Sequence, residues 1–94
     1  MPKSLRTPRQ QRLQTLLVGL RKDKGMTQAD LAAVLGKPQS FVAKYETGER
    51  RIDVVEFIDI VAALGVASGD ILAQLESIRS PVRPARQRLR KPGL

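Results

Sequence analysis

Cysteine, histidine and tryptophan are all missing from this chain. Without cysteine there is no disulfide frame, no thiolate zinc site and no cysteine nucleophile. Without histidine, the commonest general base and the commonest metal ligand are gone as well. Aromatic residues are scarce, one Tyr and two Phe, too few for a broad stacking surface. No apolar run is long enough to span a bilayer. The basic start is not followed by an apolar signal core, so export is not expected and a cytoplasmic location is. A Gly-rich phosphate loop is also lacking, and the carboxylates fall singly at helix starts or on solvated helix faces. Catalysis needs a base, a nucleophile or a metal cluster gathered in a pocket. The expectation is therefore a protein that is not an enzyme and needs no cofactor, no metal and no small-molecule ligand.

What the chain has in plenty is positive charge, unevenly placed. Its 94 residues carry 17 Lys and Arg against 9 Asp and Glu, a net charge of +8. Residues 1–12 contribute Lys3, Arg6, Arg9 and Arg12, and residues 79–94 hold five Arg and one Lys. Between Asp53 and Ile78 there are only acids: Asp53, Glu56, Asp59, Asp70 and Glu76. One end of the folded unit is thus basic, the other acidic, and both termini are basic. A polyanion is the simplest partner for such a distribution. Length and a hydrophobic content of 41% suit one small domain whose core must be compact and helical.

The organising stretch is Met26 to Arg51. Thr27 is a fitting N-cap with Asp30 as its capping-box partner. A helix over Gln28 to Leu35 follows, with Leu31, Ala32 and Leu35 on one face. Gly36 falls where a left-handed C-cap belongs, and Pro38, lacking an N–H, suits the start of the next helix. That helix spans Gln39 to Thr47 and stops at Gly48. Val42 and Tyr45 point inward, leaving Gln39, Ser40, Ala43 and Lys44 outward. Two helices across a short Gly-containing turn, with amides and a lysine on the free face, is the plan of a helix-turn-helix that reads DNA.

Upstream, Thr7-Pro8 reads as N-cap and first helical residue, with Gln10 at the capping-box position. Leu13, Leu16, Leu17 and Leu20 give this helix, Pro8 to Lys24, its apolar stripe, and Gly25 closes it. Gly19 within it suggests a close helix crossing. Downstream, Ile52 plugs the core from a loop and Asp53 caps a fourth helix with Glu56. Val54, Phe57, Ile60, Val61 and Leu64 form its buried side. Val55, Ile58 and Ala62 form a second apolar line that one small core does not need. A fifth helix covers about Ser68 to Ile78, presenting Ile71, Leu72, Leu75 and Ile78. The organisation is then a basic arm over 1–6, a domain over 7–78, and a basic tail over 79–94 expected to be disordered in isolation.

The ordered set Thr27-Gln28-x-x-Leu31-Ala32, Leu35-Gly36, Gln39-Ser40-x-Val42, Glu46-x-Gly48-x-Arg50, Leu64-Gly65-Val66 and Ile71-Leu72 resembles the Cro/Xre type of helix-turn-helix, the phage-repressor-like DNA-binding domains. The resemblance covers Leu13 to Leu75 and departs at Pro38, where many members carry a Ser or Thr cap. It implies an all-α, five-helix repressor-like fold, with Gln39, Ser40, Ala43 and Lys44 against base edges. Their chemistry suits that role: Gln pairs with adenine N6 and N7, Lys donates to guanine O6 and N7, and Ser bonds either.

Phosphate contacts are expected from Gln28, Lys37, Thr47, Arg50 and Arg51. Gln28 has a second reading as a simple helix-start residue. Phe41 has two: contact with the DNA backbone or a thymine methyl, or filling the crevice between the second and third helices. Glu46 repels phosphate and reads better as a structural ion-pair partner of Arg21 on the first helix, which the resemblance also implies. The function expected is a double-stranded DNA-binding transcriptional regulator, a repressor by default, acting as a homodimer. An antitoxin-type autoregulator is a close variant. The reading from another class is a protein- or RNA-interaction module on the same fold, which favours large apolar residues on the exposed face.

The basic tail yields a first prediction. Each phosphate neutralised on duplex DNA contributes about −0.9 to the log–log salt slope. Deleting residues 80–94 should flatten that slope and weaken all sequences alike, leaving the preferred motif unchanged. Equal slopes for truncated and full-length protein on one duplex would point instead to an acidic protein partner, or to a merely solvated tail.

Overall fold

The chain is described by a computed structural model covering residues 7–79, 82 and 85. Five helices follow one another: α1 (Pro8–Asp23), α2 (Gln28–Leu35), α3 (Gln39–Thr47), α4 (Val54–Leu64) and α5 (Ser68–Glu76). No strand occurs among the described residues, and no helix among them is long and apolar enough to cross a membrane.

The boundaries follow from local chemistry. Thr7 Oγ1 accepts from the Gln10 N–H at 3.2 Å, starting α1 at a proline that has no donor to leave unmet. Thr27 and Asp30 form a reciprocal capping box at the head of α2, and Asp53 and Glu56 do the same for α4. The Thr27 N–H donates to the Asp30 carboxylate, which holds that group below its ordinary pKa. Gly36 ends α2 at φ +68°, in the left-handed region that side chains with a Cβ avoid. Pro38 stands at the cap of α3 rather than inside it and offers no side-chain bond. The start of α3 is therefore held by the turn and by packing, not by a capping hydroxyl.

Packing gathers the apolar stripes into one core. Leu17, Leu31, Val42, Ile60, Val61 and Leu64 are almost wholly inaccessible. Leu13, Leu16, Leu20, Ile52 and Leu75 pack around them. Helix α2 lies against α3 and α4, while α1 packs on α3, α4 and α5. The expected stripe of α1 is thus the floor on which the helix-turn-helix rests.

Four expectations need correction. Val54 is 66% exposed; as the first residue of α4 it precedes the turn that enters the core at Phe57. Gly19 supports no close crossing, because nothing lies within 4 Å of where its Cβ would be. Helix α5 ends at Glu76 rather than Ile78, and α1 at Asp23 rather than Lys24. The last carbonyls of α5 are met by a residue distant in sequence. Arg9 Nε donates to the Leu75 and Ile78 carbonyls at 3.1 and 3.2 Å, placing a cation at the negative end of the helix dipole. Arg9, one of the four cations of residues 1–12, thus clasps the start of α1 to the end of α5.

The buried ion pair is the other long-range tie. Arg21 Nε donates to Glu46 Oε2 at 2.8 Å and Nη2 to Glu46 Oε1 at 3.1 Å. Arg21 Nη1 donates to the Met26 carbonyl at 2.7 Å. The two side chains are 10% and 6% exposed, so breaking the pair strands a charge away from water. Arg21→Met is expected to destabilise the domain by about 3–5 kcal/mol, and Arg21→Met with Glu46→Leu to recover much of it. Denaturant midpoints check this; equal losses in the single and double variants would show that the pair's charges are not what matters.

Candidate nucleic-acid interface

Helix α3 presents its first two turns on one surface of the domain. Val42 and Tyr45 are buried, which turns Gln39, Ser40 and Lys44 outward; all three are exposed, and Ala43 between them is half-buried. The outward placement expected of Gln39, Ser40 and Lys44 is what the helix shows, while Ala43 is less open than its spacing suggested. Thr47 is also exposed, its hydroxyl donating to the Lys44 carbonyl at 3.2 Å. Lys37, in the turn before α3, and Arg51, after it, are exposed on either side.

Phe41 goes the other way. It is 9% exposed and stands edge-on to Tyr45, ring centroids 5.5 Å apart and planes at 71°. Of its two readings, burial favours the crevice between α2 and α3 over a contact with DNA. Two cations cover it: Lys37 Nζ lies 5.2 Å from the ring centroid and Arg50 Cζ 5.0 Å. Both distances suit cation–π attraction, so Phe41 anchors the basic groups flanking α3. The neighbouring Tyr45 hydroxyl is buried with no hydrogen-bond partner among the described residues. Burial pushes its pKa well above the usual phenol range.

Beneath this surface runs a polar network. Gln28 Nε2 donates to Glu46 Oε1 at 2.9 Å, and Gln39 Nε2 to Gln28 Oε1 at 3.5 Å. Gln14 Nε2 donates to the Glu46 carbonyl at 3.2 Å. Gln28 is therefore more than a helix-start residue: half-buried, it joins the ion pair to the exposed amide of Gln39. Glu46's hydrogen bond raises the pKa of Arg21 further, against the opposing effect of burial.

Arg50, expected to meet phosphate, is already engaged. Its two terminal nitrogens each reach a Glu56 oxygen at 2.9 Å, and Nη1 also donates to the Arg51 carbonyl at 2.8 Å. The fork-on-carboxylate geometry is the strong form of an ion pair, though Arg50 remains 42% exposed. Nothing in the spacing announced this contact: it crosses a loop, where no helical period applies, and Glu56 had already a role as a cap. The Gln28–Glu46 bond likewise joins two helices, and only folding brings it about.

Helices α4 and α5 expose apolar groups of their own. Val54, Val55, Ile58 and Leu72 are 43–66% exposed, and Ala62 is exposed with them. The exposed acids Asp53, Asp59, Asp70 and Glu76 lie on the same two helices or at their ends. The basic groups after α3 meet this acidic stretch at the Arg50–Glu56 pair. Most of the tail lies outside the described residues.

A helix-turn-helix family model matches residues 19–71, which spans the end of α1 through the start of α5. An XRE-family-like protein from Pseudomonas syringae pv. tomato is 45% identical, over 80% of this chain and 92% of its own, with a TM-score of 0.73. A mutant of the restriction-modification controller protein C.Esp1396I is 22% identical over 76% of this chain and 90% of its own, at a TM-score of 0.68; this second likeness speaks for the fold alone. No curated protein sequence matches the chain.

The Arg50–Glu56 pair makes a prediction about acid. Hydrogen bonds from Arg50 and from the Asp53 N–H hold the Glu56 carboxyl at about 2, against an ordinary 4.5. A depressed folded pKa gives stability that is present above pH 4.5 and lost as pH falls toward 2. Glu56→Gln should therefore lower stability at neutral pH and show a shallower further loss over that window. Parallel acid-unfolding curves for the two proteins would contradict this.

Proposed function

The chain belongs to the Cro/Xre-type helix-turn-helix family, a family of DNA-binding transcription regulators, and from that premise we propose that it is a sequence-specific repressor reading the major groove with α3. The observation that carries the reading is the chemistry of the exposed turns. Gln39, Ser40 and Lys44 stand together, polar and free of acid, while every large apolar residue of α3 is buried. That is what base edges want and what an apolar docking surface lacks. The rival interaction-module reading favours large apolar residues on the exposed face, and the burial of Phe41 leaves α3 with none there.

The remaining roles follow from position. Lys37 and Arg51 flank α3 and Thr47 ends it, positions suited to phosphate contact, and Gln28 lies at the N-terminus of α2, where free N–H groups favour an anion. Arg50 contributes there only through the part of its guanidinium that Glu56 leaves open. A helix-turn-helix dimer places its reading helices one turn of DNA apart, about 34 Å. We assign the dimer contact to the exposed apolar line of α4, Val55, Ile58 and Ala62, with Leu72 of α5. Exposed apolar surface of this kind usually marks an interface. Occupying an operator in this way blocks transcription without any catalytic step.

Selection of binding sites from random duplex DNA should return one motif with two-fold symmetry. Gln39→Ala and Lys44→Ala should each relax one base position at a cost of about 1–3 kcal/mol, whereas Lys37→Ala should weaken all duplexes alike. An unchanged motif in both α3 variants would show that α3 does not read bases. Sedimentation at micromolar concentration should show a dimer, lost in Ile58→Glu. A monomeric parent protein would remove the α4 contact from this account.

A further inference from the structure

A capping box does not need a charge, since Gln closes one as well as Glu does. Helix α4 nevertheless uses Glu56, and it stands among the cations that flank α3. Its side chain is 16% exposed and is fixed from two directions. Oε1 accepts from the Asp53 N–H at 2.9 Å, so the carboxylate moves only by giving up the cap. Both oxygens also accept from the Arg50 fork, at 2.9 Å each. Arg50 is held from other sides too, by the Arg51 carbonyl at 2.8 Å and by the Phe41 ring 5.0 Å from Cζ. Lys37, 5.2 Å from the centre of the same ring, adds a further attraction to the carboxylate. One acid and two cations are thus gathered at a single aromatic ring.

We infer that Glu56 cancels the charge Arg50 would otherwise bring to DNA, and so limits the domain's affinity for duplexes of every sequence. Counterions are released when a cation neutralises a phosphate. An Arg whose fork is closed by a carboxylate brings no net charge to that exchange, although its remaining N–H groups can still donate. The fork-on-carboxylate form is also the strong one, and the cap keeps the carboxylate from following the guanidinium outward. Glu56 therefore acts on DNA through Arg50 and touches none itself. Its effect is uniform: which site is preferred does not change, but the hold on any duplex is weaker.

This inference rests on the DNA-binding reading above, and its test tells the two apart. The full chain is titrated with one selected and one unrelated duplex, from about 50 to about 200 mM salt. Glu56→Gln keeps an acceptor for the Asp53 N–H and removes the charge. It should bind both duplexes more tightly, with a log–log salt slope steeper by about 0.9 per bound chain. The gain over the parent should then shrink about 3.5-fold per chain across that salt range. A loss of stability would act in the opposite direction, so tighter binding is no folding artefact. Arg50→Gln with Glu56→Gln removes both charges, strands neither, and should reproduce the parent's slope and affinity. Asp70→Asn removes an exposed acid of α5 and should leave the slope alone. A double variant whose slope is shallower by about 0.9 overturns the inference, because Arg50 then neutralises a phosphate in the parent. That comparison decides the matter even where Glu56→Gln alone fails to fold. Equal steepening in Asp70→Asn and Glu56→Gln also overturns it, by assigning the effect to overall charge. A parent protein that binds no duplex refutes the DNA-binding reading itself, and the inference falls with it.

Discussion

A guanidinium buried to 8% exposure is tolerable only when its donors are met, and Arg21 meets its own on two fronts. Glu46 on α3 takes two of its N–H groups and the Met26 carbonyl, in the turn before α2, takes a third. One side chain thereby joins α1, the entry to α2 and the far end of α3. Apolar packing through Leu17, Leu31 and Val42 brings the same three helices together but is not directional. The ion pair adds a fixed distance and orientation. Such a pair need not raise stability over an apolar core of similar volume; what it contributes here is a single angle for α3.

That angle has consequences on the surface. With Val42, Tyr45 and Phe41 held inward, α3 can offer only short or polar groups, and the flanking cations Lys37 and Arg50 are drawn over the Phe41 ring. The carboxylate that holds Arg21 also takes Gln28, whose oxygen then faces Gln39. The core and the exposed face of α3 are thus continuous through three side chains. The acidic side, built from α4 and α5, contributes little to this network except Glu56, which reaches back to Arg50.

Features set by residues within four positions of one another were legible in the sequence. The capping boxes at Thr27–Asp30 and Asp53–Glu56 and the glycines at 36 and 48 have this character. They placed α2 and α3 at the same residues the structure shows. The outward set Gln39, Ser40 and Lys44 followed from the period of Val42 and Tyr45 alone. The Arg21–Glu46 pair lies 25 positions apart and became legible through family resemblance and the oddity of an acid near DNA. Arg9 on the end of α5, 66 positions away, gave no such sign, nor did the Arg50–Glu56 and Gln28–Glu46 contacts. Helical spacing also overreached: it put Val54 on the buried face because a period cannot tell where a helix meets the body of the fold. Phe41 stayed ambiguous for the converse reason. Beside Val42 it has no inward place by spacing, yet it is buried against Tyr45 beneath Lys37 and Arg50.

The central claim is that α3, fixed by the buried pair, is what meets the base edges. Backbone amide chemical shifts of the full chain, followed by NMR as a selected duplex is titrated in, address it directly. The largest changes should fall at Gln28, Gln39, Ser40, Ala43 and Lys44, with smaller ones at Lys37, Thr47 and Arg51. Changes confined to the terminal arms or to α4 and α5, with α3 undisturbed at saturation, would contradict it.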